Sequence, residues 1–269
     1  MYASFQDLDV LLVEPSAVQA RIIRDMLSAL GVTRVETTDT ATAALARMCG
    51  EPPAITISAL YLPDMSGIEL IQTMREDEAL AALPFVLVSS ETRPQVLDPV
   101  RQSGACAILP KPFTSEQLAT ALRAALDYLN PSAMLEVECD LEQLRVLLVD
   151  DSPNARRFVR HVLGNLGIEE FLEAANGVEA MEILAGTMVD LVITDYNMPE
   201  MDGRALVEHI RQQSWQSSVP ILMVTSESNM SRLAAVEQAG VSAICDKPFE
   251  PKMIKRLIEQ AMAGRERDS

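Results

Sequence analysis

Cysteine is scarce in this sequence, and the cysteines that are present form no recognisable framework. No two of them make a CxxC pair, and no interval between them matches the spacing of metal ligands; they stand at Cys49, Cys106, Cys139 and Cys245. Scattered cysteines of this kind favour reduced thiols over disulfides or zinc ligands. The pattern argues against a disulfide framework and against a structural zinc site.

Basic residues are also few. The chain has 22 lysines and arginines against 39 aspartates and glutamates, which gives a formal net charge of −17. A surface with this excess of negative charge repels the phosphates of nucleic acids and the headgroups of anionic membranes. We therefore expect neither a nucleic acid nor a membrane among the partners.

Long apolar runs are absent as well. No stretch reaches the roughly 18 apolar residues of a membrane span, and the first residues, MYASFQDLD, lack the basic and apolar regions of a secretory signal. The expected location is the cytoplasm. A chain of 269 residues with 48% hydrophobic content can bury a sizeable core, and its length suggests two domains.

The sequence contains an internal repeat. VLLVEPS at 10–16 matches VLLVDDS at 146–152, and LPKPF at 109–113 matches CDKPF at 245–249. The first pair is offset by 146 − 10 = 136 residues and the second by 245 − 109 = 136. A constant offset over this distance indicates two copies of one fold.

Within the second copy, short apolar runs alternate with stretches of helical periodicity. The runs read as buried strands: VLLV at 146–149, FLEA at 171–174, LVIT at 191–194, ILMV at 221–224 and AIC at 243–245. Strands separated by helices imply parallel βαβ units. We therefore predict an α/β fold in each copy, a doubly wound parallel sheet of five strands.

The first helix of each copy has a predictable start, face and end. In the second copy Ser152 is the expected N-cap and Pro153 the first helical residue, and the helix is expected to stop at Gly167. The residues expected to be buried are Phe158, Val159, Val162, Leu163 and Leu166, and in the first copy Ile22, Ile23, Met26, Leu27 and Leu30.

A proline marks the boundary between the copies. The residue before a proline resists the α region, so the last helix of the first copy is expected to end near Asn130-Pro131. We therefore predict domains at 1–130 and 144–269, joined by a linker at 131–143.

The carboxyl ends of the predicted strands are where a ligand site belongs in an open parallel sheet. In the second copy they carry five polar residues: Asp150, Asp151, Asp195, Thr225 and Lys247. Taken singly, an Asp after a strand is usually a solvated cap, but here three acids converge. Each pair of carboxylates at about 4 Å costs on the order of 4 kcal/mol at an effective dielectric of about 20. One lysine cannot offset that, whereas Mg²⁺ suits a small, open carboxylate site.

These residues carry a family resemblance. The acidic pair at 150–151, ITDYNMPEMDG at 193–203, VTSE at 224–227 and DKPF at 246–249 resemble the motifs of receiver domains in two-component response regulators. Apart from the linker and the tails, the chain is similar to two such receivers in tandem. The resemblance implies a flavodoxin-like strand order of 2-1-3-4-5 in each copy.

The resemblance also implies the chemistry of the second copy. Asp195 attacks the phosphorus of a phosphohistidine and becomes an aspartyl phosphate. Thr225 hydrogen-bonds the phosphoryl group, and Lys247 pairs with another phosphoryl oxygen. Phosphoryl transfer suits these residue types because it depends on positioning and charge neutralisation more than on a strong base.

The resemblance further implies the metal ligands and the residues that tune dephosphorylation. Asp151 and Asp195 bind Mg²⁺ directly, Asp150 acts largely through water, and the backbone carbonyl of Asn197 completes the protein ligands. Asn197 and Glu227 flank the path of the attacking water, and this combination is typical of rapidly reset, chemotaxis-type receivers.

The first copy departs from the family pattern. Glu14 and Pro15 stand in place of the acidic pair, and Ala59 stands in place of the phosphoacceptor, whereas Ser89 and Lys111 remain. A receiver without its acceptor carboxylate cannot form the acyl phosphate, and a single Glu is a poor Mg²⁺ site. We expect a degenerate receiver in which Lys111 pairs with Glu14, retained as a docking or dimerisation module.

Two other points concern the aromatic residue used for switching and a possible replacement for the missing acceptor. Three residues before the lysine the family often has an aromatic ring that turns inward on activation, but here Ile244 and Ile108 occupy that position. Signalling by backbone shifts rather than ring rotation is therefore expected. Asp64 matches Glu200 by offset, so it does not replace the missing acceptor.

The predicted function is phosphorelay signalling rather than metabolic catalysis, with self-phosphorylation and autodephosphorylation as the only chemistry. The implied partners are a sensor histidine kinase or histidine phosphotransfer protein and a downstream protein target, and a homodimer or an intramolecular contact between receivers is a further expectation. A hydrolase resembling the haloacid dehalogenases is disfavoured, because its DxD motif follows the first strand. A phosphate sink or scaffold, or the receiver portion of a longer regulator with an output domain such as a nucleotide cyclase, stays open.

Overall fold

The computed structural model of the chain describes residues 4–91, 93–129, 141–225, 230–247 and 258. The chain divides into two compact units, Met1–Pro131 and Ser132–Ser269. Most of the predicted linker at 131–143 lies outside the described residues, apart from a short 3-10 helix at Leu141–Gln143. The exact domain boundaries therefore stay a prediction.

The first unit alternates strands and helices from Asp9 onward, after a 3-10 turn at Phe5–Asp7. Its elements in chain order are β1 Asp9–Val13, α1 Ala17–Ala29, β2 Arg34–Thr38, α2 Ala41–Gly50, β3 Ile55–Ala59, α3 Gly67–Glu76, β4 Phe85–Ser89, α4 Pro94–Gln102, β5 Ala107–Pro110 and α5 Ser115–Leu129.

The second unit follows the same order. Its described elements are β6 Arg145–Val149, α6 Pro153–Asn165, β7 Glu170–Ala174, α7 Gly177–Gly186, β8 Leu191–Thr194, α8 Gly203–Gln213, β9 Ile221–Thr225, α9 Met230–Ala239 and β10 Ala243–Asp246. All five strands predicted from the apolar runs are present.

Each unit is built on one five-stranded sheet, in the orders β2-β1-β3-β4-β5 and β10-β9-β8-β6-β7. Every pairing between neighbouring strands is parallel. Counted from the first strand of its own unit, each sheet has the order 2-1-3-4-5, so the predicted fold class is confirmed.

Alternate residues of each central strand face opposite layers of helices. In β1, Val10 and Leu12 belong to a buried cluster with residues of α1 and α5. Leu11 and Val13 belong to a second cluster with residues of α2, α3 and α4. The β1 pattern thus explains why its run is continuously apolar: a parallel strand is covered on both faces.

The first helix of the second unit forms as predicted, but its counterpart in the first unit differs at one residue. Ser152 caps α6 by accepting a hydrogen bond from the Ala155 amide at 3.2 Å, and Gly167 follows with φ of 101°. In α1, Ile23 and Leu27 are buried, and Met26 and Leu30 are partly buried against the core. Ile22, in contrast, is 44% exposed. The prediction that Ile22 is buried was wrong, because its side chain points about 100° around the helix from Ile23.

A buried arginine ties together three segments of the first unit. The Arg75 side chain, near the end of α3, donates to the carbonyls of Ser103 at 2.9 Å, Leu83 at 3.0 Å and Gly104 at 3.0 Å. The residue is 1% exposed, and burial lowers the pKa of its guanidinium. Arg75 thereby links α3 to the chain before β4 and to the turn after α4.

The second unit repeats this arrangement at the same offset, since 211 − 75 = 136. Arg211 donates to the carbonyls of Gly240 at 2.9 Å, Ser217 at 2.8 Å and Val219 at 2.9 Å. Arg211 is only half-buried. The two units therefore share the arginine but differ in how completely water is excluded from it.

Two findings bear on compartment and chemistry. Within the described ranges, no helix combines the length and the apolar character that a bilayer crossing requires. Across the same residues no disulfide forms: Cys49 is exposed and Cys106 and Cys245 are buried. Cys139 lies outside the described residues.

Candidate functional site

Three carboxylates of the second unit meet at the carboxyl edge of its sheet. Asp150 and Asp151 follow β6, and Asp195 follows β8, which pairs directly with β6. Each residue offers a carboxylate oxygen, and these oxygens all lie within 4.8 Å of one another. The acids predicted to converge are therefore brought together, and the parallel pairing of β6 with β8 is what does it.

Lys247 reaches this cluster from the end of β10. Its Nζ lies 2.7 Å from Oδ2 of Asp150 and 3.4 Å from Oδ1 of Asp195. The lysine is 6% exposed, and its backbone amide donates to the carbonyl of Thr225 at 2.8 Å. The pairing of β10 with β9 thus holds the lysine against two of the three acids.

The buried position of Asp195 gives its carboxyl group unusual properties. The residue is 4% exposed, and burial raises its pKa to about 6, although Lys247 lowers it; Asp150 raises it further. Oδ1 is buried and has no hydrogen-bond partner, because the contact with Lys247 is an ion pair without hydrogen-bond geometry. Asp195 therefore has an oxygen atom that its surroundings leave unsatisfied.

The other charged groups of the cluster respond to the same crowding. The pKa of Asp151 is raised by burial and by the neighbouring Asp150. Burial alone would lower the pKa of Lys247, but the carboxylates of Asp150 and Asp195 outweigh it, so this pKa is raised. The site thus concentrates negative charge around a firmly protonated lysine.

The donor set fits a hard divalent cation. Mg²⁺ prefers oxygen ligands and is commonly held by one or two carboxylates together with water. Three carboxylate oxygens within 4.8 Å of one another, in a cluster that also contains the unpartnered oxygen of Asp195, offer such a set. Among the residues that the structure describes, this is the one group of three or more acidic, histidine or cysteine side chains with that geometry.

A glycine allows the helix after Asp195, or after Ala59 in the first unit, to approach closely. A Cβ atom at Gly203 would lie 2.1 Å from the carbonyl oxygen of Asp195, and one at Gly67 would lie 2.4 Å from that of Ala59. Contacts this short do not occur, so any side chain here would displace the backbone. The backbone at Asp195 therefore lies against the start of α8, and the backbone at Ala59 against the start of α3.

The structure describes three of the remaining predicted residues of the second unit. Thr225 ends β9 and is fully buried. Asn197 is exposed, two residues after Asp195. Glu227 lies outside the described residues. At the position where the family often has an aromatic ring, Ile244 is half-buried and packs against the core of its unit.

In the first unit, the corresponding edge holds one acid and one lysine. The expected ion pair is present: Lys111 Nζ donates to Oε2 of Glu14 at 2.8 Å. Glu14 is 5% exposed, and its Oε1 accepts from the Ser16 amide at 3.0 Å. Ser89 Oγ accepts from the Glu91 amide at 2.9 Å. Since Ala59 brings no carboxylate, the lysine serves a single buried acid here.

Asp64, the acid nearest in sequence to the missing acceptor, has a different task. Its carboxylate accepts hydrogen bonds from the amides of Ala41 at 3.0 Å and Thr42 at 2.8 Å, and from the Thr42 hydroxyl at 2.6 Å. These bonds hold its pKa well below the usual range, the Thr42 hydroxyl contributing most. Asp64 therefore satisfies the first amides of α2, which agrees with the view that it does not replace an acceptor at position 59.

One polar residue at this edge was not foreseen from the sequence. Arg156, on α6, donates from Nη1 to the backbone carbonyl of Asp150 at 2.5 Å and from Nε to Oε2 of Glu173 at 3.1 Å. It lines one small cavity together with Asp150, Asp195 and Lys247. The internal repeat offered one signal for this residue. The equivalent position in the first copy, at 156 − 136 = 20, is an alanine, so the arginine is present only in the copy that has the acidic pair.

Comparison with known proteins gives a consistent answer. A family model described as "Response regulator receiver domain" matches residues 10–123 and 146–259. Chemotaxis protein CheY1 of Helicobacter pylori is 41% identical over 117 residues, which cover 43% of this chain and 94% of that protein. Chemotaxis protein CheY homolog of Campylobacter jejuni is 38% identical over 120 residues, covering 44% of this chain and 92% of that protein.

A solved structure is similar to a comparable share of the chain. The chemotaxis response regulator CheY4 of Vibrio cholerae has 34% sequence identity and a TM-score of 0.41, covering 44% of this chain and 98% of its own. Chemotaxis protein CheY1 and the CheY homolog each correspond in length to about one copy of the repeat.

Proposed function

Because the chain belongs to the response regulator receiver family and matches its model twice, we propose that it works in a phosphorelay, with Asp195 of the second receiver as the phosphoacceptor. The observation that carries this proposal is the meeting of Asp150, Asp151 and Asp195 with Lys247 at one sheet edge. The donor is a phosphohistidine on a sensor kinase or a histidine phosphotransfer protein. The output is a changed contact with a downstream protein, and the expected location is the cytoplasm.

The chemical step moves a phosphoryl group from a histidine nitrogen to a carboxylate oxygen. An oxygen of the Asp195 carboxylate attacks phosphorus, the phosphorus–nitrogen bond of the donor breaks, and the imidazole nitrogen leaves and takes up a proton. Lys247 Nζ, which lies 3.4 Å from Oδ1 of Asp195, is placed to pair with an oxygen of the phosphoryl group. The Thr225 hydroxyl is proposed to hydrogen-bond another. Positioning and charge neutralisation are what phosphoryl transfer requires.

The carboxylates are proposed to hold Mg²⁺, Asp151 and Asp195 directly and Asp150 through water, with the backbone carbonyl of Asn197 as a further ligand. When bound, Mg²⁺ neutralises charge on the phosphoryl oxygens. The clustered carboxylates with one lysine support this assignment, because like charges this close need a second counter-charge.

The direct test of the proposed function is uptake of phosphate by the intact chain. With acetyl phosphate as a small donor and Mg²⁺ present, we expect one acid-stable, base-labile phosphoryl group per chain in the intact mass. Chelating the metal should abolish uptake. Uptake that is unaffected by chelation, or a second phosphoryl group on the same chain, contradicts the proposal.

The lifetime of the phosphoryl group gives a second prediction. Asn197 is exposed and lies two residues after Asp195, and the family assigns it and Glu227 to the path of the attacking water. We expect a short-lived phosphoryl state, and we expect replacement of Asn197 or Glu227 by a bulkier side chain to slow its hydrolysis. The measurement is the decay of the phosphorylated chain after the donor is removed. Glu208→Gln, on an exposed face of α8 where Glu208 pairs with Arg204, is the control, and an unchanged decay in the Asn197 and Glu227 variants refutes this role.

The first receiver is proposed to act through contact rather than chemistry. It keeps both apolar layers around its sheet and a buried ion pair between Glu14 and Lys111, although position 59 is alanine. A domain that only drifted would be free to lose this packing. We propose that residues 1–130 bind the second receiver, a second copy or a partner, more tightly in one phosphorylation state than in the other.

Beryllofluoride, which stands in for the phosphoryl group at Asp195, tests this coupling. A coupling of typical size, about 1 to 3 kcal/mol, changes the affinity of the contact roughly 5- to 150-fold. Hydrogen exchange of residues 1–130, or the oligomeric state, should therefore change on beryllofluoride addition. The Asp195→Asn chain under the same conditions is the control. If the exchange and the oligomeric state stay the same in the wild-type chain, and deletion of 1–130 alters neither phosphate uptake nor partner binding, the contact role is wrong.

A further inference from the structure

A side chain of α6 forms a hydrogen bond with the main chain between the two adjacent acids. Arg156 Nη1 donates to the carbonyl oxygen of Asp150 at 2.5 Å, and that carbonyl belongs to the peptide bond that joins Asp150 to Asp151. Because a peptide unit is planar, fixing its oxygen fixes the rotation of the whole unit. The hydrogen bond therefore restricts the backbone orientation of Asp151, and with it the direction of the Asp151 side chain, as well as the backbone of Asp150.

The guanidinium is itself oriented by a second contact. Arg156 Nε donates to Oε2 of Glu173 at 3.1 Å, on the neighbouring strand β7. The Arg156 side chain is 15% exposed, so the fork is largely enclosed and its planar shape sets the angle between the two bonds. Glu173 also offsets part of the arginine charge, although it pairs with Arg160 as well, at 3.3 Å.

Other hydrogen bonds of this turn hold the Asp150 amide and the Asp150 carboxylate. The Asp150 amide donates to the Ala174 carbonyl at 3.2 Å, and Oδ1 of Asp150 accepts from the Ser152 amide at 2.9 Å. Together with Lys247 on Oδ2, these contacts leave Asp150 few ways to move. Arg156 adds the hydrogen bond to the Asp150 carbonyl oxygen.

The first receiver lacks both members of this pair. The position of Arg156 is held by Ala20, since 156 − 136 = 20, and the position of Glu173 by Thr37, since 173 − 136 = 37. Ala20 is buried in the core, and the hydroxyl oxygen of Thr37 is buried without a hydrogen-bond partner. The copy without the acidic pair is thus also the copy without the arginine and the carboxylate that orients it.

We propose that Arg156, oriented by Glu173, is a positioning residue that presets the Asp150–Asp151 turn for metal binding. This inference rests on the proposed function, because it takes the three carboxylates as the Mg²⁺ site. It assigns Arg156 no contact with the metal or with the phosphoryl group. Removal of a residue that orients metal ligands in this way typically costs 10- to 100-fold in metal affinity.

The test compares variants of two arginines that share one carboxylate. Arg156→Met removes both hydrogen bonds, Arg156→Lys keeps the charge but not the fork, and Glu173→Gln weakens the orienting contact. Arg160→Met is the matched control, because Arg160 lies on the same helix and donates to Oε1 of Glu173 at 3.3 Å but makes no contact with the acidic pair. Two quantities are measured on the full chain without a phosphodonor: the dissociation constant for Mg²⁺ by calorimetry, and hydrogen exchange of the amides at 150–152 without metal.

We expect Arg156→Met to weaken Mg²⁺ binding about 10-fold or more, with faster exchange at 150–152 and Arg160→Met unchanged in both measurements. Arg156→Lys and Glu173→Gln should fall between, and they supply the answer if Arg156→Met fails to fold. If the wild-type chain binds Mg²⁺ while these variants bind it within about twofold of the wild type, the positioning role is wrong and the proposed function stands. If the wild-type chain binds no Mg²⁺, the metal site of the proposed function fails, and this inference fails with it.

Discussion

Replacing Asp195 by asparagine is expected to abolish phosphate uptake from acetyl phosphate by the intact chain. The amide cannot form an acyl phosphate, and the substitution removes one of the three carboxylates that meet within 4.8 Å. The change should be complete, from one phosphoryl group per chain to none, because the first receiver has Ala59 at the corresponding position. Intact mass spectrometry after incubation with donor and Mg²⁺ measures the result.

Asp202→Asn is the matched control for this experiment. Asp202 lies in the same segment of the chain, and its carboxylate caps α8 by accepting from the Ala205 amide at 2.8 Å. Asparagine is an equally good N-cap, so this variant should keep its stability and take up phosphate at close to the wild-type level. Phosphate uptake that persists in Asp195→Asn, or that is lost equally in Asp202→Asn, contradicts the assignment of Asp195 as the acceptor.

Replacing Arg75 by methionine is expected to destabilise the first receiver by about 3 kcal/mol or more. Hydrogen bonds from a charged donor contribute roughly 1.5 to 3 kcal/mol each, and loss of the donor leaves buried acceptors unsatisfied. Arg75 serves three such carbonyls while it is 1% exposed. Methionine fills much of the volume, so the loss reports the hydrogen bonds rather than an empty cavity.

Arg211→Met provides the internal comparison. Arg211 makes the same kind of contacts in the second receiver but is half-buried, so water can replace part of what is lost. We expect a smaller destabilisation than for Arg75→Met. Hydrogen exchange under increasing denaturant resolves the two receivers, which a single unfolding curve of a two-domain chain does not. A cost below about 1 kcal/mol for Arg75→Met, or a larger cost for Arg211→Met, contradicts this account.

The strands and the meeting of the acids could be predicted because the relevant signals are local. Each strand of the second receiver is a short apolar run, and the acids follow directly after such runs at 150–151 and 195. Once the strands are parallel, their carboxyl ends share one edge, so residues 45 positions apart become neighbours without further information. The parallel topology is what allowed positions in the sequence to be converted into a prediction that the acids are close in space.

The errors and omissions concern contacts whose partners leave no mark in the sequence. Arg75 and Arg211 bind backbone carbonyls, which every residue type has, so residue identity at the acceptors says nothing. Arg156 was missed for the same reason, because its partner at Asp150 is the carbonyl oxygen. The exposure of Ile22 was misjudged because α1 has more apolar residues than its buried face can hold, whereas the larger Phe158 at the equivalent position of α6 is 5% exposed.

The ion pair between Glu14 and Lys111 makes a phosphoacceptor at position 59 costly to introduce. Lys111 already neutralises one buried carboxylate at 2.8 Å. Changing Ala59 to Asp alone would bring a second buried carboxylate to the same lysine, and Pro15 supplies no side-chain ligand with which a metal could balance it. At about 4 Å and an effective dielectric of about 20, the added repulsion is on the order of 4 kcal/mol.

A return to a working acceptor therefore needs changes at positions 15 and 59 together. A path that begins with Ala59→Asp therefore passes through a less stable protein, and most domains have only about 5 to 15 kcal/mol of stability in total. The ion pair thus favours keeping alanine at position 59. The first receiver can therefore change on its exposed surface more easily than it can gain a phosphoacceptor.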